Sequence, residues 1–272
     1  MRYLWIITMV VLPVVGCSSA DTPSGAKSPA ENEFYYSYGT VLGSFVKTDG
    51  VDYAALLKDR KALDKFIDQL GKTSSETYAS LEPAARMALW INAYNAFALQ
   101  TILNHYPVKS IKDIKGAFDD KKWDIAGRKV SLNEIEHDIL RPEFKDPRIH
   151  FALNNASKGA PPLLDRPLLP QTVSAQLNDA VIAFVNEPKL NKINPHTNTV
   201  TTNELFSWFG DEFIEMYGTE EYPQLEPARA AALNFIFTYA DKSIFEFVDT
   251  TEPWTVEFFP YDWSLNDIKR NH

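Results

Sequence analysis

The most constraining feature is a stretch that is apolar on nearly every side of a helix. Glu82-Pro83 opens it, with proline at the first helical position where its missing N–H costs nothing, and Pro107 closes it. Between them run Leu89, Trp90, Ala93, Tyr94, Ala96, Phe97, Leu99 and Ile102. A helix with no polar face cannot lie on a surface, so the rest of the chain must pack around it. The elements available for that are mixed and do not alternate. Tyr53 to Leu70 carries Leu56, Leu57, Leu63, Phe66, Ile67 and Leu70 on one face of an amphipathic helix. Trp123 to Val130 alternates about Gly127 like a short hairpin, and Ser131-Leu-Asn-Glu134 fits a capping box that starts a helix over Leu132 to Leu140. Arg148 to Leu153 reads as a strand, and Pro161, Pro162, Pro167 and Pro170 make the following stretch an extended loop without helix. A helix over Ser174 to Val185, a hairpin about Asn194-Pro195, helices near Glu204–Tyr217 and Ala228–Tyr239, and a strand at Thr255 to Phe259 complete the order. Runs of helices with scattered strands predict an α+β fold, helix-rich with a small, mainly antiparallel sheet.

The chain has 272 residues, and from Phe34 onward it shows no second linker, charge block or internal repeat, so residues 34–272 read as one folded domain. The N-terminus reads differently. Arg2 precedes an apolar run from Tyr3 to Val15, too short to span a bilayer, and Val14-Val15-Gly16-Cys17 follows. This resembles the lipobox of bacterial lipoproteins. The resemblance implies a signal peptide over residues 1–16, lipidation (palmitate included) at Cys17, and a membrane partner reached through that lipid. Ser18, standing where Asp would suggest inner-membrane retention, implies a cell-envelope location at the outer membrane, facing the periplasm. Residues 17–33 hold the lipidated cysteine and a flexible tether that lacks apolar periodicity and spans roughly 20–25 Å.

Cys17 is the only cysteine, so neither an intramolecular disulfide nor thiol catalysis is available to the folded part. Cleavage would remove only Arg2 from 27 basic side chains, leaving 26 against 36 acidic ones and a formal charge of −10. Such a surface repels nucleic acid and anionic lipid. A nucleic-acid partner is therefore not expected, and the anchor must be covalent.

Trp90-Ile-Asn-Ala-Tyr-Asn-Ala-Phe97, Ser131-Leu-Asn-Glu-Ile-Glu-His137 with Ile139-Leu-Arg141, Arg148-Ile-His-Phe-Ala-Leu-Asn154, Pro161-Pro162 and Tyr261-Asp-Trp-Ser-Leu-Asn266 together resemble the domain-of-unknown-function family numbered 547. The resemblance covers residues 85–266 and supplies no activity. Many members carry two cysteines five residues apart after the Arg148 segment, where this chain has Asn155 and Ala160. Those cysteines are either a nucleophile with a companion, which implies a remotely papain-like or transglutaminase-like enzyme, or a disulfide pair. Their joint absence fits a pair lost together better than a lone nucleophile.

Two of the five histidines, His137 and His150, lie in these motifs. A histidine is the natural general base near neutral pH, with Glu136, Asp138 or Asp146 as an orienting carboxylate and Ser157 or Lys158 as nucleophile or charge stabiliser. Against this, His150 between Ile149 and Phe151 also fits a hydrogen-bonded structural residue. Asn92 and Asn95, three apart on the apolar helix, are either part of a polar binding cluster, with Asn155 and Arg141, or ties that hold a loop's backbone. No His-x-x-x-His pair or acidic loop supports a metal, and no cofactor is expected. Trp208-Phe209, Trp254, Phe258-Phe259, Tyr261 and Trp263 could form a sugar-stacking surface, but aromatics at such spacings read first as core. The functional expectation is a lipid-anchored binding or accessory module whose partner is an envelope protein or small molecule. The alternative is a hydrolase or acyl transferase with a histidine base and no cysteine nucleophile.

Overall fold

The structure, a computed structural model, describes residues 29–247 and 253–268. Cys17, the apolar run before it and the tether up to residue 28 lie outside the described residues. Helices α1 (Pro29–Phe45), α2 (Tyr53–Lys58), α3 (Lys61–Gly71) and α4 (Ser75–Ala79) lead into α5 (Pro83–Leu103). Strands β1 (Val46–Lys47) and β2 (Gly50–Val51) form a minimal antiparallel pair between α1 and α2. The helix α1 begins inside the stretch read as a tether. The single helix expected over Tyr53–Leu70 is two, because Asp59 leaves helical geometry (φ −134°, ψ 64°) and Arg60 restarts the winding with its guanidinium on Asp64 at 2.9 Å. The six-residue gap from Leu57 to Leu63 in the apolar pattern marks that break.

Helix α5 is buried as its composition demands: Trp90, Ile91, Ala93, Ala96 and Phe97 are fully covered. Its large rings find both apolar and polar partners. Phe97 stacks on Trp123 at 4.5 Å, and the Trp90 Nε1–H donates to the Tyr78 hydroxyl at 2.9 Å. Trp123 belongs to the hairpin of β3 (Trp123–Ile125) and β4 (Arg128–Val130), turned through Ala126 and Gly127, both at positive φ as a tight two-residue hairpin requires.

The capping box forms reciprocally. Glu134 N–H donates to Ser131 Oγ at 3.1 Å while Ser131 N–H donates to a Glu134 carboxylate oxygen at 3.0 Å. The helix it starts winds as a π-helix over Glu134–Leu140, closed by Arg141 N–H on the Glu136 carbonyl, and runs into α6 (Arg141–Phe144). Wide turns of this kind concentrate at functional sites.

The expected strand at Arg148–Leu153 is instead a 3₁₀ turn over Pro147–Phe151. The Asp146 carboxylate accepts from Arg148 N–H at 3.0 Å and Pro147 occupies the first position, which is a helix-opening pair that outweighs the apolar alternation. After the proline loop come α7 (Val173–Val185), strands β5 (Lys192–Asn194) and β6 (Thr199–Asn203), helices α8 (Leu205–Trp208), α9 (Gly210–Tyr217) and α10 (Pro227–Tyr239), and strand β7 (Thr255–Phe259). The sheet is mixed: β5 pairs antiparallel to β6, and β7 pairs parallel to it. The helix expected over Glu204–Tyr217 breaks at Phe209, where Gly210 lets α9 approach Ala228 of α10 so closely that an added Cβ would lie 2.9 Å from the alanine methyl.

Two apolar clusters result. One surrounds α5 with α1–α3, the hairpin and the π-helix; the other gathers α8–α10, β6 and β7. Helix α7 serves both, with Val173 and Leu177 in the first and Val181 and Phe184 in the second. So does the 3₁₀ turn, which sends Ile149 to the first and Phe151 to the second. Together these form a single α+β domain, with His150 on the seam between its two cores. Among the described residues no helix is long and apolar enough to cross a membrane.

Candidate functional site

His150 is 3% exposed, and both its ring nitrogens face carboxylates. Nε2 lies 2.9 Å from Glu212 of α9, and Nδ1 lies 3.6 Å from Glu136 of the π-helix, beyond hydrogen-bonding distance. The ring stacks on Phe209 at 3.8 Å. Burial opposes a charge on the imidazole, yet the two carboxylates outweigh it and raise the His150 pKa above its ordinary value. Glu136 and Glu212 move the opposite way. Burial pushes each up, but contact with His150 and the Arg141 guanidinium leaves both below the usual carboxylate range. The arrangement is an imidazole held between two carboxylates that favour its charged form.

Arg141, expected as a binding residue, is already engaged. Its guanidinium donates to Glu212 at 2.5 Å and to His137 Nδ1 at 2.6 Å, and lies over the Phe209 ring at 4.9 Å. His137 is exposed and meets this network through Arg141 and, at 6.2 Å between ring centres, Phe209. Of the carboxylates offered as orienting groups Glu136 faces His150, at 3.6 Å, whereas Asp146 pairs with Arg148 at 2.6 Å and Asp138 faces the hairpin beside Ala126 and Arg128.

The structure does not bring Ser157 to His150. The Ser157 hydroxyl donates to Asn155 Oδ1 at 2.5 Å and Tyr261 Oη at 2.9 Å, and the serine lines a different cavity with the exposed Lys158. The serine sits away from the histidine because its backbone is drawn to the C-terminal strap: Ser157 bridges to Leu265, and Lys158 N–H donates to Ser264 O at 2.8 Å. Asn155, in contrast, lines the His150 cleft and donates to the Tyr261 hydroxyl at 3.0 Å. Between Asn155 and Ser157, Ala156 adopts φ 64°, left-handed for a residue with a Cβ. Ala160 lines the other cavity, so the two positions at which many family members have cysteine face different spaces.

Asn92 and Asn95 are ties rather than binding groups. Asn92 donates to Leu168 O at 2.8 Å and accepts from Leu168 N–H at 3.0 Å, as a strand partner would. Asn95 likewise donates to Ala152 O and accepts from Asn154 N–H, each at 2.8 Å. Both amides are spent on holding the loops that carry the site, because a buried amide on an apolar helix must find partners for both its ends.

The cleft encloses about 560 Å³, inside the range of roughly 300–1,000 Å³ usual for small-ligand sites. His150, Glu136 and Asn155 are among its polar lining residues, and Trp208, Tyr261 and Trp263 supply an aromatic cluster to the same lining. The expectation that these aromatics are core holds for Trp254, at 6% exposure, and fails for Trp208, at 47%. Glu212 and Tyr94 are the contributors that sequence reasoning missed. Tyr94, whose hydroxyl meets Glu136 at 3.4 Å, was hidden among the apolar residues of α5, and no motif singles out Glu212 among the acidic residues of α9. Among the described residues no group of three or more His, Cys, Asp or Glu side chains is placed to hold a metal ion.

No curated protein and no solved structure matches the chain. Residues 78–185 match the family described as "Protein of unknown function, DUF547", a segment running from Tyr78 above α5, through the π-helix and the 3₁₀ turn, to the end of α7. That segment contributes Tyr94, Glu136, Arg141, His150 and Asn155 to the site, and over it the chain is similar to the DUF547 family.

Proposed function

We propose that this chain is a lipid-anchored cell-envelope protein, attached through Cys17 to the outer membrane and facing the periplasm, that binds a small molecule in the His150 cleft. The address rests on the Val14-Val15-Gly16-Cys17-Ser18 sequence. The binding reading rests on one observation: His150 is locked between Glu136 and Glu212 at the floor of a ligand-sized cleft. A general base needs a free nitrogen beside the proton it removes. Here Nε2 is engaged by Glu212, Nδ1 is buried facing Glu136 at 3.6 Å, and the Ser157 hydroxyl donates to Asn155 Oδ1. Such a centre is built for fixed charge and shape, which suits recognition better than proton transfer.

Labelling the full-length chain with radioactive palmitate in a bacterial host tests the anchor. Label and membrane pelleting are expected for the native chain and absent for Cys17→Ser; a variant that keeps both overturns the address. For the cleft, small-molecule fractions of cell envelopes are screened by thermal shift against the native chain and Asn155→Trp, which fills the cleft. A fraction that stabilises the native chain alone supports binding, and equal responses overturn it. Chemical consumption of the bound compound by the native chain would instead favour the hydrolase or acyl-transferase reading.

A further inference from the structure

The aromatic wall of the cleft is unusual in being left open. Trp208 packs on Tyr261 at 4.8 Å and on Trp263 at 6.0 Å, and Tyr261 on Trp263 at 4.6 Å, yet Trp208 keeps 47% of its surface exposed. Three rings are thus held rigidly by one another, and an indole presents free area to the cleft. Leaving it so costs hydrophobic stabilisation that a buried indole would have supplied.

The rest of the lining is largely polar. Asn133 donates to Asp119 at 2.7 Å, which fixes both side chains on the cleft lining, and Glu136 and Asn155 add a carboxylate and an amide. His150 Nδ1 is buried with no hydrogen-bond partner, Glu136 standing 3.6 Å away, so this nitrogen on the cleft lining has room for a polar group of a ligand. The charges balance. The positive groups Lys112, Arg141 and His150 are matched by Asp119 and Glu136 in the cleft and by Glu212 directly behind His150 and Arg141. Lys112 is further occupied over the Trp263 ring at 3.8 Å. A cationic ligand would meet no surplus of negative charge, and an anionic one would have to break existing ion pairs.

What fits is a neutral molecule with an apolar C–H face for the indole and several hydroxyl or amide groups for the carboxylates, amides and the imidazole nitrogen. We propose that the cleft binds a carbohydrate, one sugar ring lying against Trp208 and its hydroxyls turned to Glu136, Asn155 and His150. This rests on the binding reading above and names its ligand class.

The test titrates the full-length chain with chitotetraose, cellotetraose and maltotetraose, following tryptophan fluorescence. At least one is expected to give a saturable change at or below about 10 mM. Trp208→Ala should bind about tenfold or more weakly with an unchanged melting temperature, and Trp208→Phe, which keeps a smaller ring, should fall between. If neither variant folds as the native chain does, Asn155→Trp, which fills the cleft and keeps Trp208, must abolish the response. Equal binding by all variants overturns the proposal. A choline or tetraglycine probe that saturates and is lost in Trp208→Ala, with no response to the glycans, overturns the sugar assignment and leaves the binding cleft standing. No response to any probe overturns the sugar assignment, and the envelope-fraction screen then decides the cleft by itself.

Discussion

His150 ties three elements by chemistry that depends on protonation. Glu136 reaches it from the π-helix, Glu212 from α9, Phe209 covers its face, and Arg141 with His137 behind it faces Glu212. Its raised pKa means that the folded state holds the proton more tightly than the unfolded chain, whose ordinary value is 6.5. Stability from the charged ring is therefore complete below that value and is lost as pH rises through the higher folded one. The two carboxylates are depressed from 4.5, so their share is present above that value and is lost as pH falls through the lower folded ones. The stability advantage of the native chain over His150→Gln should consequently be greatest between those two ordinary values and shrink on either side. Melting temperatures of both proteins from about pH 3 to 9 check this, and a difference that stays constant over the range would refute it. The asparagines show how far single residues were legible. Asn92 and Asn95 announced themselves as buried amides, and the helix spacing put them side by side. Which backbone groups they hold, 57 to 76 residues away, depends on a chain path that no local pattern encodes.

At the scale of elements, the pieces with strong local signals were readable: the apolar α5, the capping box at Ser131, the Gly127 hairpin, and the β7 strand at Thr255–Phe259. Those read wrongly carry two competing signals. Ile149-His150-Phe151 alternates like a strand, but the two apolar residues serve different cores and the Asp146-Pro147 pair sets the winding. The parallel pairing of β7 to β6 was not legible, since it depends on α8–α10 filling the crossover between them. The C-terminal strap is the element that completes the site. Gly159 N–H donates to Asp262 O at 2.8 Å, so close that an added Cβ would stand 2.9 Å from the Asp262 nitrogen and 3.0 Å from the Tyr261 ring. Gly159→Ala should cost about 1–3 kcal/mol by overpacking and shift Tyr261 out of the cleft. Gly43→Ala is the contrast: exposed on α1, with its nearest contact at 4.0 Å, it should gain about 0.5–1 kcal/mol from helix propensity. Urea titrations measure both, and a same-sign result would show that the strap's closeness is not what fixes Gly159.

For the whole molecule, the question is whether two apolar clusters behave as one. Nothing about the composition of either half distinguishes them, and the first expectation of a single domain came from the lack of a linker after Phe34. The structure gives a mechanical reason. Helix α7 has Leu177 in one cluster and Val181 one turn later in the other, and the 3₁₀ turn does the same with Ile149 and Phe151. Neither cluster can lose its contacts without exposing apolar surface on an element that the other still holds, so opening one half alone is penalised. Phe151 is the sharpest probe of this coupling. Fully buried, it stacks on Phe235 at 5.1 Å and meets Phe184 edge-on at 4.9 Å, while its neighbours in sequence, His150 and Ile149, belong to the cleft and to the first core. Truncation to Ala should cost about 3–5 kcal/mol. If the cores are coupled, the loss appears as one transition at lower denaturant, with tryptophan fluorescence, which samples Trp90 and Trp123 in the first core and Trp254 in the second, and far-ultraviolet circular dichroism moving together. Were the second core to melt first, fluorescence would change in two steps, Trp254 ahead of Trp90 and Trp123, and circular dichroism would fall with the first of them. The cleft at the seam would then be lost before the molecule unfolds, and binding would disappear at a denaturant concentration where half the fold survives.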